Sequence, residues 1–471
     1  MITTIICVVF VLGYLAIAFE HNLHVNKAAS ALLAGVLCWT LYAMNGGEFM
    51  QEKDVPKWFI EEHTEKPKTE NGAADPSHDA AKDSTAHGSS HVIRDYIIEG
   101  QLAHNLAEVA QILFFLLGAM TIVEIVDAFG GFSVITDRIQ ATNKLKLLWV
   151  ISFLTFFMSS VLDNLTTTIV MISLVRKLVD DHKTRLFFAG MIVCAANAGG
   201  AWTVIGDVTT TMLWIKDKIS VVEVMIRLFI PSMVCFLAPL LLISMYMKGD
   251  VQRPKESAEE KLINVPSGAK TLIFMVGVIG LLSVPVFKLI THLPPFMGIL
   301  LSLSVLWIVA EIVRKDFDQV TKTSTHILDI LKRVDSSTIL FFLGILLAVG
   351  SLSQAGILTK VAGLLDTYVG NQDLIAIMIG LLSSVVDNVP LVAAGIEMYD
   401  FPRDHSFWMF LAYTAGTGGS CLIIGSAAGV AAMGLERINF VWYMIYITPF
   451  ALIGYFAGAA TYYGIVHYLG W

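Results

Sequence analysis

Three aspartates, Asp163, Asp207 and Asp387, lie near the middle of long apolar segments of the sequence. A carboxylate at the centre of a membrane helix costs at least about 2.5 kcal/mol, and such a residue indicates function by default. A structural ion pair would need a neighbouring cation, but no Lys or Arg occurs within the three apolar cores. The three aspartates are therefore candidates for binding a cation or a proton.

Neutral oxygen ligands accompany these aspartates along the chain. Carboxylate, amide, hydroxyl and carbonyl oxygens are what a small hard cation accepts in place of water. The candidate ion- and proton-binding residues are Asp163, Asn164, Thr166, Asn197, Asp207, Thr209, Thr210, Ser383, Asp387, Asn388, Ser420 and Ser426. Ser and Thr in helices often bond back to their own backbone, so the clustering of these residues is the signal.

A buried carboxylate can serve two competing ligands. Burial favours its protonated form, whereas a bound cation favours its ionised form. One site can then hold either a proton or a metal ion, and competition for it couples their opposite movements. This is the minimal chemistry of a cation/proton antiporter, for which no cofactor and no nucleic-acid partner are expected.

An internal repeat places these residues in two corresponding halves. Three blocks recur in the same order, namely FFLLG (114–118) as LFFLG (340–344), SSVLDNL (159–165) as SSVVDNV (383–389) and AGGAWTVIG (198–206) as TGGSCLIIG (417–425). Chance similarity between apolar segments could explain one block but explains three poorly. Asp207 corresponds to Ser426, so the third carboxylate belongs to the first half only.

Paired glycines interrupt the corresponding segment of each half, and they are Gly199, Gly200, Gly206, Gly418, Gly419 and Gly425. Non-helical backbone at membrane depth survives only where it is buried in protein or lines a wet cavity. Interrupted segments at corresponding positions of two halves indicate the midplane site of a transporter. Close helix packing, the other use of glycine in membranes, does not account for the neighbouring polar residues.

Composition predicts a membrane protein, because 56% of the 471 residues are hydrophobic and only 15% are charged. The apolar residues run in blocks that match the roughly 20 residues of a membrane-spanning helix. Ten full crossings are predicted at about 1–19, 28–45, 107–127, 186–215, 221–247, 271–290, 296–313, 336–352, 405–435 and 441–468. The segments 186–215 and 405–435 contain the glycine breaks, and 148–176 and 373–399 have a polar centre typical of re-entrant hairpins.

The predicted fold is an all-α polytopic membrane protein with two inverted repeats, each of five crossings and one hairpin. Its parts are 1–45 (first two transmembrane helices), 46–105 (acidic periplasmic insert), 106–247 (rest of the first repeat), 248–270 (cytoplasmic linker) and 271–471 (second repeat). With the N-terminus periplasmic, 19 basic residues fall in inside loops and four in short outside loops. This bias follows the positive-inside rule for an inner-membrane protein.

Other polar residues allow weaker predictions. His104 and Glu108 are four residues apart on one helical face, where protonation of the histidine could report pH or where the two could form a plain interfacial pair. Glu124 and Asp127 receive no predicted role. The acidic insert contains several histidines that could capture metal ions, but its composition favours a solvated loop.

Three motifs carry a resemblance to a known family. DNLTTT (163–168), NAGGAWTVIGDVTTTMLW (197–214) and SSVVDNVP (383–390) resemble the NhaD-type sodium/proton antiporters of the ion transporter superfamily. The resemblance implies a homodimer with a scaffold part and a transport part in each subunit. It also implies two opposed hairpins tipped by Asp163-Asn164 and Asp387-Asn388, packed against two broken helices.

Two other classes of function are alternatives to the antiporter. An anion carrier for arsenite, dicarboxylate or sulfate could use the same architecture, but its dicarboxylate-carrying relatives show Ser-Asn-Thr at the hairpin tips. A fixed Asp at both tips repels an anion and attracts a cation. Two intramembrane aspartates could also form a protease dyad, although a duplicated Asp-Asn motif is typical of transporters.

Overall fold

The computed structural model describes residues 1–18, 23, 25–64, 91–136, 139, 141–252 and 265–469. The middle of the predicted insert and half of the predicted linker lie outside the described residues, and with them His78 and His87. Within the described ranges the secondary structure is helical, apart from one isolated antiparallel bridge between Asn143 and Asp250.

The longer helices of the first part of the chain are α1 Ile2–Ala18, α2 Lys27–Met44, α3 Ala103–Ala128, α4 Lys144–Leu162, α5 Asn164–Leu178, α6 His182–Gly200, α7 Val208–Ile215 and α8 Val221–Ser244. Those of the second part are α9 Ser267–Thr291, α10 Pro295–Arg314, α11 Ser336–Gln354, α12 Ile357–Tyr368, α13 Gln372–Leu382, α14 Asn388–Met398, α15 Ser406–Gly418, α16 Ala427–Glu436 and α17 Thr448–Leu469. Short helices lie at Gly46–Phe49, Lys57–Thr64, Ser133–Thr136, Gln319–Ser324, Ile327–Leu331 and Phe440–Tyr446.

Eight helical stretches of the described residues are long and apolar enough to cross a membrane. They are Lys27–Met44, His91–Ala128, Lys144–Leu162, Val221–Ser244, Ser267–Thr291, Pro295–Arg314, Gln319–Gln354 and Thr448–Val466. The backbone of such helices satisfies its own hydrogen bonds, as it must because the core of a bilayer contains no water. The chain is therefore a polytopic membrane protein.

The chain forms two compact units. The first unit comprises Met1–Ala110 and Ser337–Gly363. In this unit α2 approaches α11 closely, because Gly35 lies directly against the carbonyl oxygen of Gly344, where a Cβ atom would come within 2.5 Å. The indole Nε1 of Trp39 donates a hydrogen bond of 2.8 Å to the carbonyl of Leu347.

The second unit comprises Gln111–Ser336 and Leu364–Trp471, and it contains all the candidate ion-binding residues. Its centre is formed by α6 and α15, whose side chains are buried on every face over most of their length. The helix pairs α4–α5 and α13–α14 correspond to the two predicted hairpins and are called hairpins below; their first arms, α4 and α13, pack on α6 and α15 respectively. The second arms cross between the halves, since α5 packs on α16 and α14 packs on α7.

Two helices differ from the prediction. The crossing predicted from residue 107 belongs to a helical stretch that begins at His91 and includes a π-helical segment, Tyr96–Leu102. The end of the region assigned to the insert is therefore helical. This helix was not predicted because charged residues interrupt its apolar pattern. The 12-residue helix α12 was also not predicted, because it is too short and too polar to resemble a crossing.

Candidate functional site

Close backbone contacts hold each hairpin against a broken helix. A Cβ atom at Gly199 would overlap the carbonyl oxygen of Phe156, and a Cβ atom at Gly418 would overlap the carbonyl oxygen of Gly380. Phe156 and Gly380 correspond in the sequence repeat, as do the two glycines. Only glycine allows two backbones to approach so closely, so these positions fix the hairpin on the helix that it covers.

A serine hydrogen bond recurs beside these contacts. The hydroxyl of Ser159 donates to the carbonyl of Ala196 at 2.6 Å, and the hydroxyl of Ser383 donates to the carbonyl of Ala415 at 2.9 Å. Both pairs join the end of a first hairpin arm to a broken helix. Ser383 therefore bonds to backbone. Its counterpart Ser159 lies within the repeated block but is not one of the predicted site residues.

The two breaks and the two hairpin tips create four helix N-termini, each capped by a candidate residue. The helix α6 ends at Gly200 and α7 begins at Val208, while α15 ends at Gly418 and α16 begins at Ala427. Side-chain oxygens of Asp163, Asp207, Asp387 and Ser426 accept hydrogen bonds from the first-turn amides of α5, α7, α14 and α16. Such caps satisfy amides that would otherwise lack partners.

Asp207 is the centre of the hydrogen-bond network. Its side chain is buried, and it accepts bonds from the amide of Asn164 at 2.7 Å and the hydroxyl of Thr209 at 2.7 Å. The amide of Asn388 donates to both of its carboxylate oxygens, at 3.3 and 3.4 Å. Because Asn164 and Asn388 are the first residues of α5 and α14, both hairpin tips meet at this one carboxylate.

Asn197 extends the network towards the second broken helix. Its Oδ1 accepts a hydrogen bond of 2.9 Å from Asn164. Its Nδ2 donates to the hydroxyls of Ser420 at 2.9 Å and Ser426 at 3.0 Å. The chain of contacts therefore runs from Asp207 to Ser426, the two positions that correspond in the repeat.

Asp163 and Asp387 differ from Asp207 in their surroundings. Both are only partly buried, and both bond to the helix that they cap. The two oxygens of Asp163 accept from the amide and the hydroxyl of Thr166, at 2.8 and 2.9 Å. The backbone of Asp163 has φ 88° and ψ 162°, a conformation that residues other than glycine rarely adopt, whereas Asp387 has φ −48°.

Some candidate residues lie outside the network around Asp207. The hydroxyl of Thr166 bonds to Asp163, and that of Thr210 bonds back to the carbonyl of Asp207 at 2.9 Å. Among the described residues, no three His, Cys, Asp or Glu side chains converge in the way that a preformed metal site requires. The three aspartates cap separate helices instead of sharing one point.

Two further contacts involve the predicted pair His104–Glu108 and a tyrosine that was not predicted. The ring of His104 lies 3.6 Å from the carboxylate of Glu108, and the histidine side chain is 75% exposed. The hydroxyl of Tyr443 donates to the carbonyl of Ser420 at 2.9 Å and supports the second break. Nothing in the sequence pointed to Tyr443, because an aromatic residue in an apolar segment is ordinary.

The helix N-termini and the aspartates that cap them carry opposite charges. Each helix N-terminus carries a partial charge of roughly +0.5, so four of them contribute about +2. If all three aspartates are ionised they contribute −3, so the four capped N-termini together carry a charge of about −1. Discontinuous helices whose N-termini meet charged or polar side chains are typical of secondary membrane transporters.

Comparison with known proteins gives the family. A family model described as "Citrate transporter" (CitMHS) matches residues 14–404 of the chain. The chain therefore belongs to this transporter family.

The relatives include two from Arabidopsis thaliana. The protein named sodium/proton antiporter 1 is 46% identical over 96% of this chain and 71% of the relative, and sodium/proton antiporter 2 is 42% identical over 96% and 97%. The protein named Na(+)/H(+) antiporter NhaD from Vibrio cholerae is 31% identical over 95% of this chain and 88% of the relative, so the chain belongs to the NhaD-type antiporters.

Proposed function

We propose that the chain is a secondary active transporter that exchanges Na+, and also Li+, for H+ across an inner membrane. The observation that carries the proposal is the buried carboxylate of Asp207, held by Asn164 and Asn388 from the two hairpin tips. The relatives named as sodium/proton antiporters support the same exchange. We further propose that the twelve candidate residues form the ion and proton site, with Asp207 at its centre.

The charge of the site favours a cation over an anion. Bare helix N-termini would attract an anion, such as the substrate in the description of the matched family. Here Asp163, Asp207 and Asp387 occupy three of the four N-termini, and the remaining charge is about −1. A dicarboxylate would add to that negative charge, whereas one Na+ neutralises it.

The asparagine amides explain how proton and cation compete. An ionised Asp207 only accepts hydrogen bonds, and the NH2 groups of Asn164 and Asn388 supply them. A bound Na+ requires oxygen ligands, which each amide can present by turning its carbonyl oxygen towards the site. A proton on Asp207 turns one of its oxygens into a donor, so the amide that faces this oxygen must also present its carbonyl oxygen instead of its NH2 group. The two hairpin tips therefore respond to the occupant of the site.

The repeated contacts support the proposed symmetry. The glycine approaches and the serine bonds recur at equivalent positions, and α5 and α14 each cross to the broken helix of the other half. We propose that the halves are inverted, that the hairpins enter from opposite faces, and that the N-terminus and residues 46–105 are periplasmic. The working unit is proposed to be a homodimer, and His104 with Glu108 is retained as a pH-responsive pair.

Everted membrane vesicles with an imposed pH gradient test the function. Addition of Na+ or Li+ should dissipate the gradient, and Asp207→Asn should abolish the response. The matched control is Asp400→Asn, which removes a fully exposed carboxylate that pairs with Lys218. Full activity of Asp207→Asn would refute the assigned site, and saturable uptake of a dicarboxylate without Na+/H+ exchange would establish the anion alternative.

A further inference from the structure

A second charged cluster lies at the end of α16, away from the ion site. The side chain of Glu436 is almost completely buried, with 2% exposed. Its carboxylate accepts from Arg176 Nε at 2.6 Å and from Arg185 Nε at 3.1 Å, and His182 Nδ1 lies 3.6 Å away. One glutamate of the second half thus holds three basic side chains of the first half.

An open cavity of about 380 Å³ lies over this cluster. Its lining residues are Arg176, His182, Arg185, Leu435, Glu436 and Arg437. Three arginines and one glutamate give the lining a formal charge of +2 when His182 is neutral. At roughly 30 Å³ per water molecule, the cavity has room for a tetrahedral anion and several waters.

The guanidinium of Arg176 is only partly used inside the protein, because it reaches Glu436 through Nε and its side chain remains 45% exposed. Arg185 is more fully engaged: it donates from Nε to Glu436 and from Nη1 to the carbonyls of Val179 and Asp180, and its Nη2 lies 3.5 Å from His182 Nδ1. Arg437 is exposed at the end of α16. The nearby Asp181 is engaged by Thr184 and by Lys144 at 3.9 Å, so it does not neutralise the cavity.

The helix lengths place the cavity at the level of lipid headgroups. Arg176 follows Asn164 by 12 residues and Arg185 precedes Asn197 by 12 residues, which at 1.5 Å per residue is about 18 Å along each helix. Half of a hydrocarbon core is about 15 Å. This depth rests on the proposed midplane position of the ion site.

We propose that this cavity binds a phosphate-bearing anion, supplied by the headgroup of an anionic phospholipid. Arginine is suited to phosphate because its planar fork presents parallel donors. Basic pockets between membrane helices are a known means of binding anionic headgroups. A bound headgroup would bridge α5, α6 and α16, which join the first hairpin to the second broken helix.

The test measures binding of a fluorescent short-chain phosphatidylglycerol to the purified full chain in zwitterionic detergent, followed by anisotropy. Short-chain phosphatidylcholine and inorganic phosphate are the competitors. Arg437→Gln should weaken binding about tenfold, the effect of losing one charge-assisted contact. Arg403→Gln is the matched control, since Arg403 is 48% exposed and pairs with Asp217 in a separate ion cluster.

A further variant separates binding from folding. Glu436→Gln removes the competing carboxylate, so the variant should bind phosphatidylglycerol more tightly than the unmodified chain even if it melts earlier. A purely structural cluster would lose stability without any gain in binding. Because Arg437 is exposed, Arg437→Gln remains informative if Glu436→Gln does not fold.

The possible outcomes distinguish the sources of the anion. Saturable binding that phosphate and phosphatidylcholine do not displace, and that depends on Arg437, supports the lipid headgroup. Displacement by phosphate with the same dependence on Arg437 assigns the cavity to free phosphate and overturns the lipid source. Equal binding by the unmodified chain and Arg437→Gln overturns the proposal, whatever the antiport assay shows.

Discussion

Replacing Asp163 by glycine should separate the stability of the protein from its activity. Asp163 has φ 88° and ψ 162°, a conformation that glycine adopts without strain, while the corresponding Asp387 has φ −48° and ψ 137°. The same substitution at two repeat-related positions should therefore have opposite effects on stability. Both substitutions should abolish Na+/H+ exchange, because each removes a carboxylate of the proposed site.

The expected change in the free energy of unfolding has three contributions. Strain of this kind costs about 1–3 kcal/mol for a residue other than glycine, and its relief favours Asp163→Gly by about 2 kcal/mol. Glycine loses roughly 0.5–1 kcal/mol more backbone entropy on folding, and replacing a cap by glycine costs a few tenths. These two losses are common to both sites. Asp163→Gly should therefore raise the free energy of unfolding by about 1 kcal/mol, and Asp387→Gly should lower it by about 1 kcal/mol.

One further contact differs between the sites. Asp163 also accepts from the hydroxyl of Thr166, a bond worth about 1 kcal/mol. Both glycine variants are therefore made in a Thr166→Ala background, which removes this bond beforehand. The expected difference in the free energy of unfolding between the variants is then about 2 kcal/mol.

Thermal unfolding in detergent, followed by tryptophan fluorescence, measures this difference. Asp163→Gly should melt a few degrees above its background and Asp387→Gly a few degrees below it. An inactive Asp163→Gly that is more stable than its background excludes misfolding as the cause of its inactivity. Equal midpoints, or a lower midpoint for Asp163→Gly, would refute the strain argument.

Three other substitutions test the packing, the network and a surface cap. Gly199→Ala should sharply reduce the yield of folded protein, because its Cβ would overlap a backbone carbonyl; Gly434→Ala, with open space around it, should fold normally. Asn197→Ala removes three hydrogen bonds and should raise the half-saturating Na+ concentration at least about tenfold in vesicles; an unchanged value would remove Asn197 from the site. The hydrogen bond from Thr184 lowers the pKa of Asp181. Asp181→Ala should therefore lower the free energy of unfolding by about 1 kcal/mol above roughly pH 4, and by progressively less as the pH falls below it. A difference in melting temperature that persists at low pH would contradict this.

The sequence by itself determined the residue types of the site and the membrane class of the chain. Asp163, Asp207 and Asp387 could be recognised because desolvation makes carboxylates rare in apolar segments, so their presence needs a reason. The repeat could be recognised because glycines and Asp-Asn pairs recur at nearly constant spacing. These signals depend on local composition and on position along the chain, both of which a sequence displays directly.

Only the tertiary structure decided which of these residues meet. Asp207 is the centre because Asn164 and Asn388 reach it from 43 and 181 residues away along the chain, and spacing alone does not specify such pairs. The strained backbone of Asp163 and the cluster around Glu436 were equally invisible to the sequence. Arginines at helix ends resemble ordinary interfacial charges until folding brings a buried carboxylate between them, because long-range packing sets both their distance and their burial.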